Sequence, residues 1–334
     1  MKLIDQNNQV QKEALLNEYK GNLFEYMVGS LISRDFQCEM AFFNALNKDL
    51  KERLSMYEEF VRLHYPELIG QLLQLALKTK DEIKQFLVVK NFQPQEVFLI
   101  GKSVATNDNE LWAEADLVLR DQNKKSLNLS LKLSKDHSFT NTKSAGIKSF
   151  LAKYFAFFDP QKIDQTDFNK KVDFNFTKMG EKLYSMEGLQ FTGSFNSEWS
   201  ERFSELPGEL EENHRQVVFE NYSNLALLLH QTLKKYLMTN EIEFKKALFP
   251  LIGFGDINLI QVTVFHHDHQ FHSIKILEGE LFSQSNVDLL PIKENAHSVE
   301  IRFGNYQLQL RIKPMNKFTT ASYKVNCSIK ENLQ

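Results

Sequence analysis

Residues 127–133 alternate strictly, with Leu127, Leu129, Leu131 and Leu133 pointing one way and Asn128, Ser130, Lys132 and Ser134 the other. A period of two marks a strand with one buried face. The same parity sets Glu114, Asp116, Val118 and Arg120 on one face of the preceding run, and the polar stretch 120–126 between the two predicts a hairpin turn. Residues 95–101 (Gln-Glu-Val-Phe-Leu-Ile-Gly) read as a first strand. Upstream the period lengthens. Leu15, Leu16, Tyr19, Leu23, Met27 and Leu31 recur at steps of three and four, which predicts a helix over residues 10–32. Glu18, Asn22, Glu25 and Gly29 form a separate stripe on it. Gly21 and Gly29 weaken a helix but let a neighbouring element come close.

Residues 35–90 carry helical apolar pieces interrupted at Pro66, a helical insertion before the sheet. Beyond the lysine strand, Ile147, Phe150, Leu151, Tyr154, Phe155 and Phe158 predict a helix over 142–158, with Asn141, Thr142 and Ser144 as capping residues. Its exposed amides would suit a phosphate, and Lys143, Lys148 and Lys153 lie off the apolar stripe. The alternative is a capped core helix with solvated lysines. From 159 to 207 no clean period dominates. Residues 214–238 are helical again, and 249–329 alternate as successive strands, with Phe303-Gly304-Asn305-Tyr306 as a hairpin turn. The histidines of His266-His267-Asp268-His269-Gln270-Phe271-His272 fall between two of these strands, so they read as a polar hairpin tip; their spacing matches no metal motif. The fold class is therefore α/β: a mixed central sheet flanked by helices, with a strand-rich C-terminal region. Three regions are expected: a core over 1–160 with the helical insertion at 35–90, an irregular insertion over 161–213, and a helix plus strands over 214–334.

A chain of 334 residues, 42% hydrophobic and 25% charged, suits an ordinary soluble globular protein. No apolar run is long enough to span a bilayer, and residues 1–7 lack the apolar core of a signal peptide, so a cytoplasmic protein with no membrane partner is expected. Cys38 and Cys327 are the only cysteines, which excludes a disulfide framework and a cysteine zinc motif. A net charge of −3 conceals an uneven distribution. Arg302, Arg311, Lys313, Lys317, Lys324 and Lys330 stand in a tract without acids, interleaved with Tyr306, Phe318 and Tyr323, whereas Glu198, Glu201, Glu205, Glu209, Glu211 and Glu212 crowd one segment. The basic tract suits phosphate contacts with double-stranded DNA, with Arg311, Lys313, Lys317 and Lys324, joined by Lys143 and Lys148, as DNA-binding candidates. Alternatively, it faces an acidic patch of the same chain.

The candidate chemistry centres on Asp116 and Lys132, an acid and a lysine on adjacent predicted strands. Phosphodiester hydrolysis needs an anchored divalent cation and a cationic group beside the attacking water, and this pair supplies both. A plain cross-strand ion pair is the simpler alternative. In order of elements the first half of the chain resembles the PD-(D/E)XK, or restriction-endonuclease-like, nucleases. The matching order is a helix carrying a glutamate (Lys20-Gly21-Asn22-Leu23-Phe24-Glu25-Tyr26), a strand ending in an aspartate, read here as Ala115-Asp116-Leu117-Val118-Leu119, a hairpin, a strand carrying Ser130-Leu131-Lys132, and then the helix over 142–158. The family's second acid is Ser130 here.

The resemblance implies a metal-dependent DNA endonuclease of type II restriction-enzyme kind, a homodimer on a palindromic site, using Mg2+ or Mn2+. It casts Asp116 as the bridging metal ligand, Lys132 as the group that orients water and stabilises the transition state, Glu25 as a supporting acid, and the Leu131 carbonyl as a further oxygen ligand. Ser130 is a weaker ligand than a carboxylate, a loss that Glu25 or Glu114 would make good. A DNA-binding module whose cleavage site has decayed is the competing expectation.

Overall fold

The structure, a computed structural model, describes residues 9–100, 115–135, 140–158, 161–254, 259–279 and 285–331. The chain opens with helices α1 (Gln9–Asp35), α2 (Glu39–Ala45), α3 (Lys48–His64) and α4 (Pro66–Val89), then strands β1 (Glu96–Leu99), β2 (Leu117–Arg120) and β3 (Ser126–Lys135). Next come β4 (Thr140–Gly146), α5 (Phe150–Tyr154), α6 (Gln161–Met186), α7 (Ser197–Arg202), α8 (Glu212–Thr239) and α9 (Glu241–Leu251). The last strands are β5 (Leu259–His267), β6 (Gln270–Glu278), β7 (Val287–Leu289), β8 (Ser298–Phe303), β9 (Tyr306–Pro314) and β10 (Tyr323–Glu331). The protein is mixed α/β with two sheets, and it divides into two compact units: Met1–Ser138 with Phe254–Glu280, and Phe139–Gly253 with Leu281–Gln334. The chain thus passes between units near 138, 253 and 280, not at the expected boundaries of 160 and 213.

In the first unit the strand order is β1-β2-β3-β5-β6. Strands β1, β2 and β3 form an antiparallel meander, β5 runs parallel to β3, and β6 returns antiparallel to β5. The leucine face of β3 and the matching positions Leu117, Leu119, Ile260, Val262 and Val264 pack into one core with α1, α2, α3 and α4. Residues 35–90 are therefore part of this core rather than an insertion beside it. Burying each such side chain contributes about 1.5–3 kcal/mol. Local signals set the helix ends: the Asn47 side chain accepts from the Leu50 N–H at 2.8 Å, and Pro66 opens α4, where its missing N–H costs no helical bond. Gly29 lets α1 sit directly on β2, since a Cβ there would lie 2.9 Å from Leu117 Cδ2; Gly21, by contrast, has nothing within 4 Å. Asp268 and His269, with φ of 45° and 63°, turn the β5–β6 hairpin, so the expected turn falls on these two residues, while His266, which is buried, and His267 end β5 and His272 lies in β6.

The second unit holds an antiparallel sheet in the order β4-β10-β9-β8-β7. Its apolar face, including Val299, Ile301, Leu308, Leu310, Ile312 and Val325, is buried, and α8 lies against β7, β8 and β9. Residues 142–158 do not form the expected helix. Residues 140–146 pair with β10 instead, a 3-10 turn spans Ile147–Ser149, and α5 is only five residues long. Tertiary bonds outweigh the helical pattern here: the Thr142 hydroxyl donates to the Leu251 carbonyl at 2.6 Å and lies 3.2 Å from that of Cys327. The apolar stripe from Ile147 to Phe158 is nevertheless buried. Asn141, Thr142 and Ser144 are thus strand residues, and no helix start stands there to receive a phosphate.

The segment expected to be irregular contains α6, which buries Phe168, Val172, Phe176, Met179 and Leu183 at three- and four-residue steps. After it, Phe191, Phe195 and Trp199 gather on Tyr184, whose ring stacks on that of Trp199 at 5.2 Å. Both cysteines are buried, and burial pushes the Cys327 thiol up to about 12. Among the described residues, no helix is long and apolar enough to cross a membrane.

Candidate active site

Asp116 stands one residue before β2, beside Ser130, because the last ladder pair is Leu117 with Leu129. Its backbone is held from both sides: its N–H donates to the Leu129 carbonyl at 2.8 Å and its carbonyl accepts from the Ile100 N–H at 3.0 Å. The side chain is held as tightly. Asp116 Oδ2 accepts the Leu131 N–H at 2.6 Å and the Ser130 hydroxyl at 3.2 Å, with Lys132 Nζ at 3.6 Å. Three consecutive residues of β3 therefore converge on one carboxylate oxygen, and bonds to a charged acceptor are the stronger kind. The Lys132 side chain keeps 31% of its surface exposed and Asp116 keeps 19%, so solvent reaches the acid and the ammonium. Leu131 takes part in this cluster through its N–H, whereas the resemblance implied a ligand role for its carbonyl.

Glu25 is placed differently. The alternation of β3 sends Ser130 and Lys132 to the face opposite Leu129 and Leu131, while α1 packs against the leucine side through Gly29 and Leu117. Glu25 lies one helical turn before Gly29, hence on that leucine side, half-buried. The structure brings Asp116, Ser130, Leu131 and Lys132 together, and α1, which carries Glu25, packs on the leucine side of the sheet. Glu114, the other replacement acid, lies outside the described residues.

Sequence reasoning missed the strand on the other side. In the parallel register Ser130 adjoins Gln261 and Lys132 adjoins Thr263, so these β5 residues share the polar face of the acid–lysine cluster. Gln261 is only 2% exposed, and its Oε1 has no hydrogen-bond partner among the described residues. The alternation Leu259-Ile260-Gln261-Val262-Thr263-Val264 puts both on one face; which strand receives that face is not written in it.

Among the described residues no three His, Cys, Asp or Glu gather as a metal site. Magnesium, however, takes as few as one or two protein carboxylates and keeps several waters. One carboxylate, one hydroxyl oxygen and an orphaned buried amide oxygen on the same sheet face are compatible with that demand.

The six basic candidates lie in the second unit and divide into two kinds. Lys148 pairs with Asp173, and Lys317 pairs with Glu205, which also accepts from Thr319 at 2.8 Å. These two are tied to acids of the same chain, and Lys143 is half-buried on β4. Arg311, Lys313 and Lys324 differ. Lys324 is the cross-strand neighbour of Lys313, Arg311 is two positions along β9 on the same face, and none has an acidic partner among the described residues. Burial first, then Arg311 and Lys324, hold the Lys313 ammonium below the usual lysine range. Phe318 and Tyr323 are buried and unavailable for stacking on bases.

No family model, no curated protein and no solved structure matches this chain.

Proposed function

We propose that the first unit is a restriction-endonuclease-like nuclease core and that the protein is a divalent-metal-dependent endonuclease hydrolysing double-stranded DNA. The observation that carries this reading is the convergence of Ser130, Leu131 and Lys132 on Asp116 Oδ2. The meander β1-β2-β3 agrees with the order of strands in the resemblance, whereas the helix expected next, over 142–158, is replaced by β4, a 3-10 turn and the five-residue α5. Asp116 and Ser130 would hold Mg2+ or Mn2+. When bound, such a cation supplies Lewis-acid polarisation of the phosphate and a more acidic water.

The residues' own work follows from their positions. Lys132, steadied by Asp116, presents its ammonium to the non-bridging oxygens, where negative charge grows as water bonds to phosphorus and the ester P–O bond breaks. The attacking water gives up one proton and the departing sugar oxygen takes one up, so one water is consumed per cut. Leu131 and Ser130 hold the Asp116 carboxylate in place by donating to it. Glu25 is a supporting acid approaching from the helix side. Arg311, Lys313 and Lys324 form the sequence-independent contact with DNA phosphates. Cutting both strands of a palindrome needs two such sites, hence a homodimer.

Plasmid cleavage with magnesium or manganese tests the reading. Removing one preorganised charge-stabilising donor typically costs about 100- to 1,000-fold in rate, and Lys132→Ala and Asp116→Asn are each expected to lose at least that, Glu25→Gln less. Undiminished cleavage by the first two variants would remove this site from the chemistry.

The self-contained way in which Asp116 is satisfied by Ser130, Leu131 and Lys132 favours one second reading, a DNA-binding module with a decayed cleavage site. It predicts salt-sensitive binding with no metal-dependent cutting by the wild-type chain.

A further inference from the structure

We infer that Gln261 completes the metal site of this reading by supplying, from β5, the oxygen ligand that the serine at position 130 supplies only weakly. The inference rests on the nuclease reading and deepens it. Asp116, Ser130 and Gln261 stand side by side on three adjacent strands: Asp116 is one step past the Leu117–Leu129 pair, and Ser130 is in register with Gln261. Adjacent strands lie about 4.8 Å apart, so the two outer residues flank Ser130 at one strand spacing on either side.

The state of the amide is the second observation. A side-chain carbonyl that is fully buried without a donor costs on the order of 1–3 kcal/mol, and Gln261 Oε1 is in that state at 2% exposure. A hydrocarbon of similar volume would remove that cost. A hard cation, or a water bound to it, would remove it equally well, since amide carbonyls are ordinary oxygen ligands for such ions. Of the other polar side chains on this face, Lys132 and Thr263 offer no carbonyl oxygen. Asn128, also buried and with an Oδ1 that accepts no hydrogen bond among the described residues, stands two residues along β3 on the side away from Lys132, in register with Leu259 rather than beside Ser130. Neutral Gln261 beside neutral Ser130 leaves Asp116 as the single full charge of this set, which predicts weak, water-rich binding.

Binding of Mn2+ alone to the full-length protein, followed by electron paramagnetic resonance of the free ion, tests this without any cleavage assay. The wild type is expected to bind Mn2+, and Asp116→Asn to lose it. Gln261→Leu, which removes the oxygen but keeps the bulk, is expected to weaken binding tenfold or more. Gln261→Glu, which restores the missing charge, is expected to tighten it at least tenfold. Wild-type affinity in both Gln261 variants, with binding lost in Asp116→Asn, would overturn the role of Gln261 and leave the nuclease reading intact. Absence of Mn2+ binding by the wild type would overturn both. Should Gln261→Leu fail to fold, as judged by its melting curve, Gln261→Glu decides alone: unchanged affinity overturns the proposal.

Discussion

A carboxylate is informative when its neighbours are specified, and two acids of the first unit show opposite uses of the same group. Asp116 is held by residues of the next strand and keeps a charged lysine at 3.6 Å within reach of solvent. Asp35, at the end of α1, accepts from Lys80 at 3.2 Å and Lys84 at 3.0 Å on α4, a tie between two helices. Burial would raise the Asp35 carboxyl, but the hydrogen bonds from Lys84 and Lys80 outweigh it and hold it below the ordinary carboxylate range. A depressed folded-state pKa means stability that is complete above the unfolded value, about 3.9, and lost as pH falls below it. Asp35→Asn is therefore expected to cost about 1 kcal/mol at neutral pH. For a unit of this size that lowers Tm by about 2–4 °C. Thermal melts of wild type and variant should converge as pH falls through the depressed folded-state pKa of Asp35; a difference that persists below it would mean that packing, not charge, is what Asp35 provides.

At the scale of elements, the contact between α1 and β2 decides whether the site is built. Asp116 adjoins Leu117, and Leu117 is the side chain on which Gly29 rests. A valine at position 29 must displace buried Leu117 or the Phe42 ring, whose Cε2 would lie 3.1 Å from the new Cβ. Overpacking of this kind costs about 1–3 kcal/mol. Gly29→Val is expected to lower the denaturation midpoint by that amount and to reduce cleavage, whereas Gly21→Ala, in open space, should stabilise α1 by up to about 1 kcal/mol. Equal midpoints for Gly29→Val and wild type would show that α1 is free to shift. The strands of the meander and the strand after it were legible because alternation survives in the sequence. The helix over 142–158 was not, because a stripe of apolar residues at helical spacing serves equally well a strand end, a 3-10 turn and a single helical turn packed against a core. Residues 161–186 failed the other way: their apolar positions are correctly spaced but are separated by Asn, Asp and Lys, and only tertiary burial reveals the face.

On the scale of the whole molecule, the division of the basic residues tells which of them are free to meet an anion. Lys317 meets Glu205, part of the acidic segment, so the alternative of a basic tract facing acids of its own chain holds at that residue. Arg311, Lys313 and Lys324 lie on one sheet face with no acidic partner among the described residues. If they contact DNA phosphates, each of Lys313→Ala and Lys324→Ala should reduce the slope of log K against log salt by about 1. Lys317→Ala should leave the slope unchanged. Lys313 adds a pH signature: since its ammonium titrates below the usual lysine range, affinity should begin to fall at a lower alkaline pH in the wild type than in Lys313→Arg. Binding isotherms at several salt concentrations and pH values check both, and equal slopes for all variants would place the DNA contact elsewhere.

What the sequence determined on its own is what local periodicity and turn chemistry encode: a helix over most of residues 10–32, the Asp116 and Lys132 strands with the polar turn between them, the Gly304 and Asp268 hairpins, and the shared face of Ser130 and Lys132. Tertiary structure alone decided which strand came to lie beside β3. A parallel neighbour arrives from more than 120 residues away in the chain, and nothing in an alternating run names its partner. That long-range pairing brought Gln261 to Ser130, and α1 packed on the leucine side rather than on the face of Ser130 and Lys132, because side chains of successive strand residues leave on opposite faces whatever their chemistry.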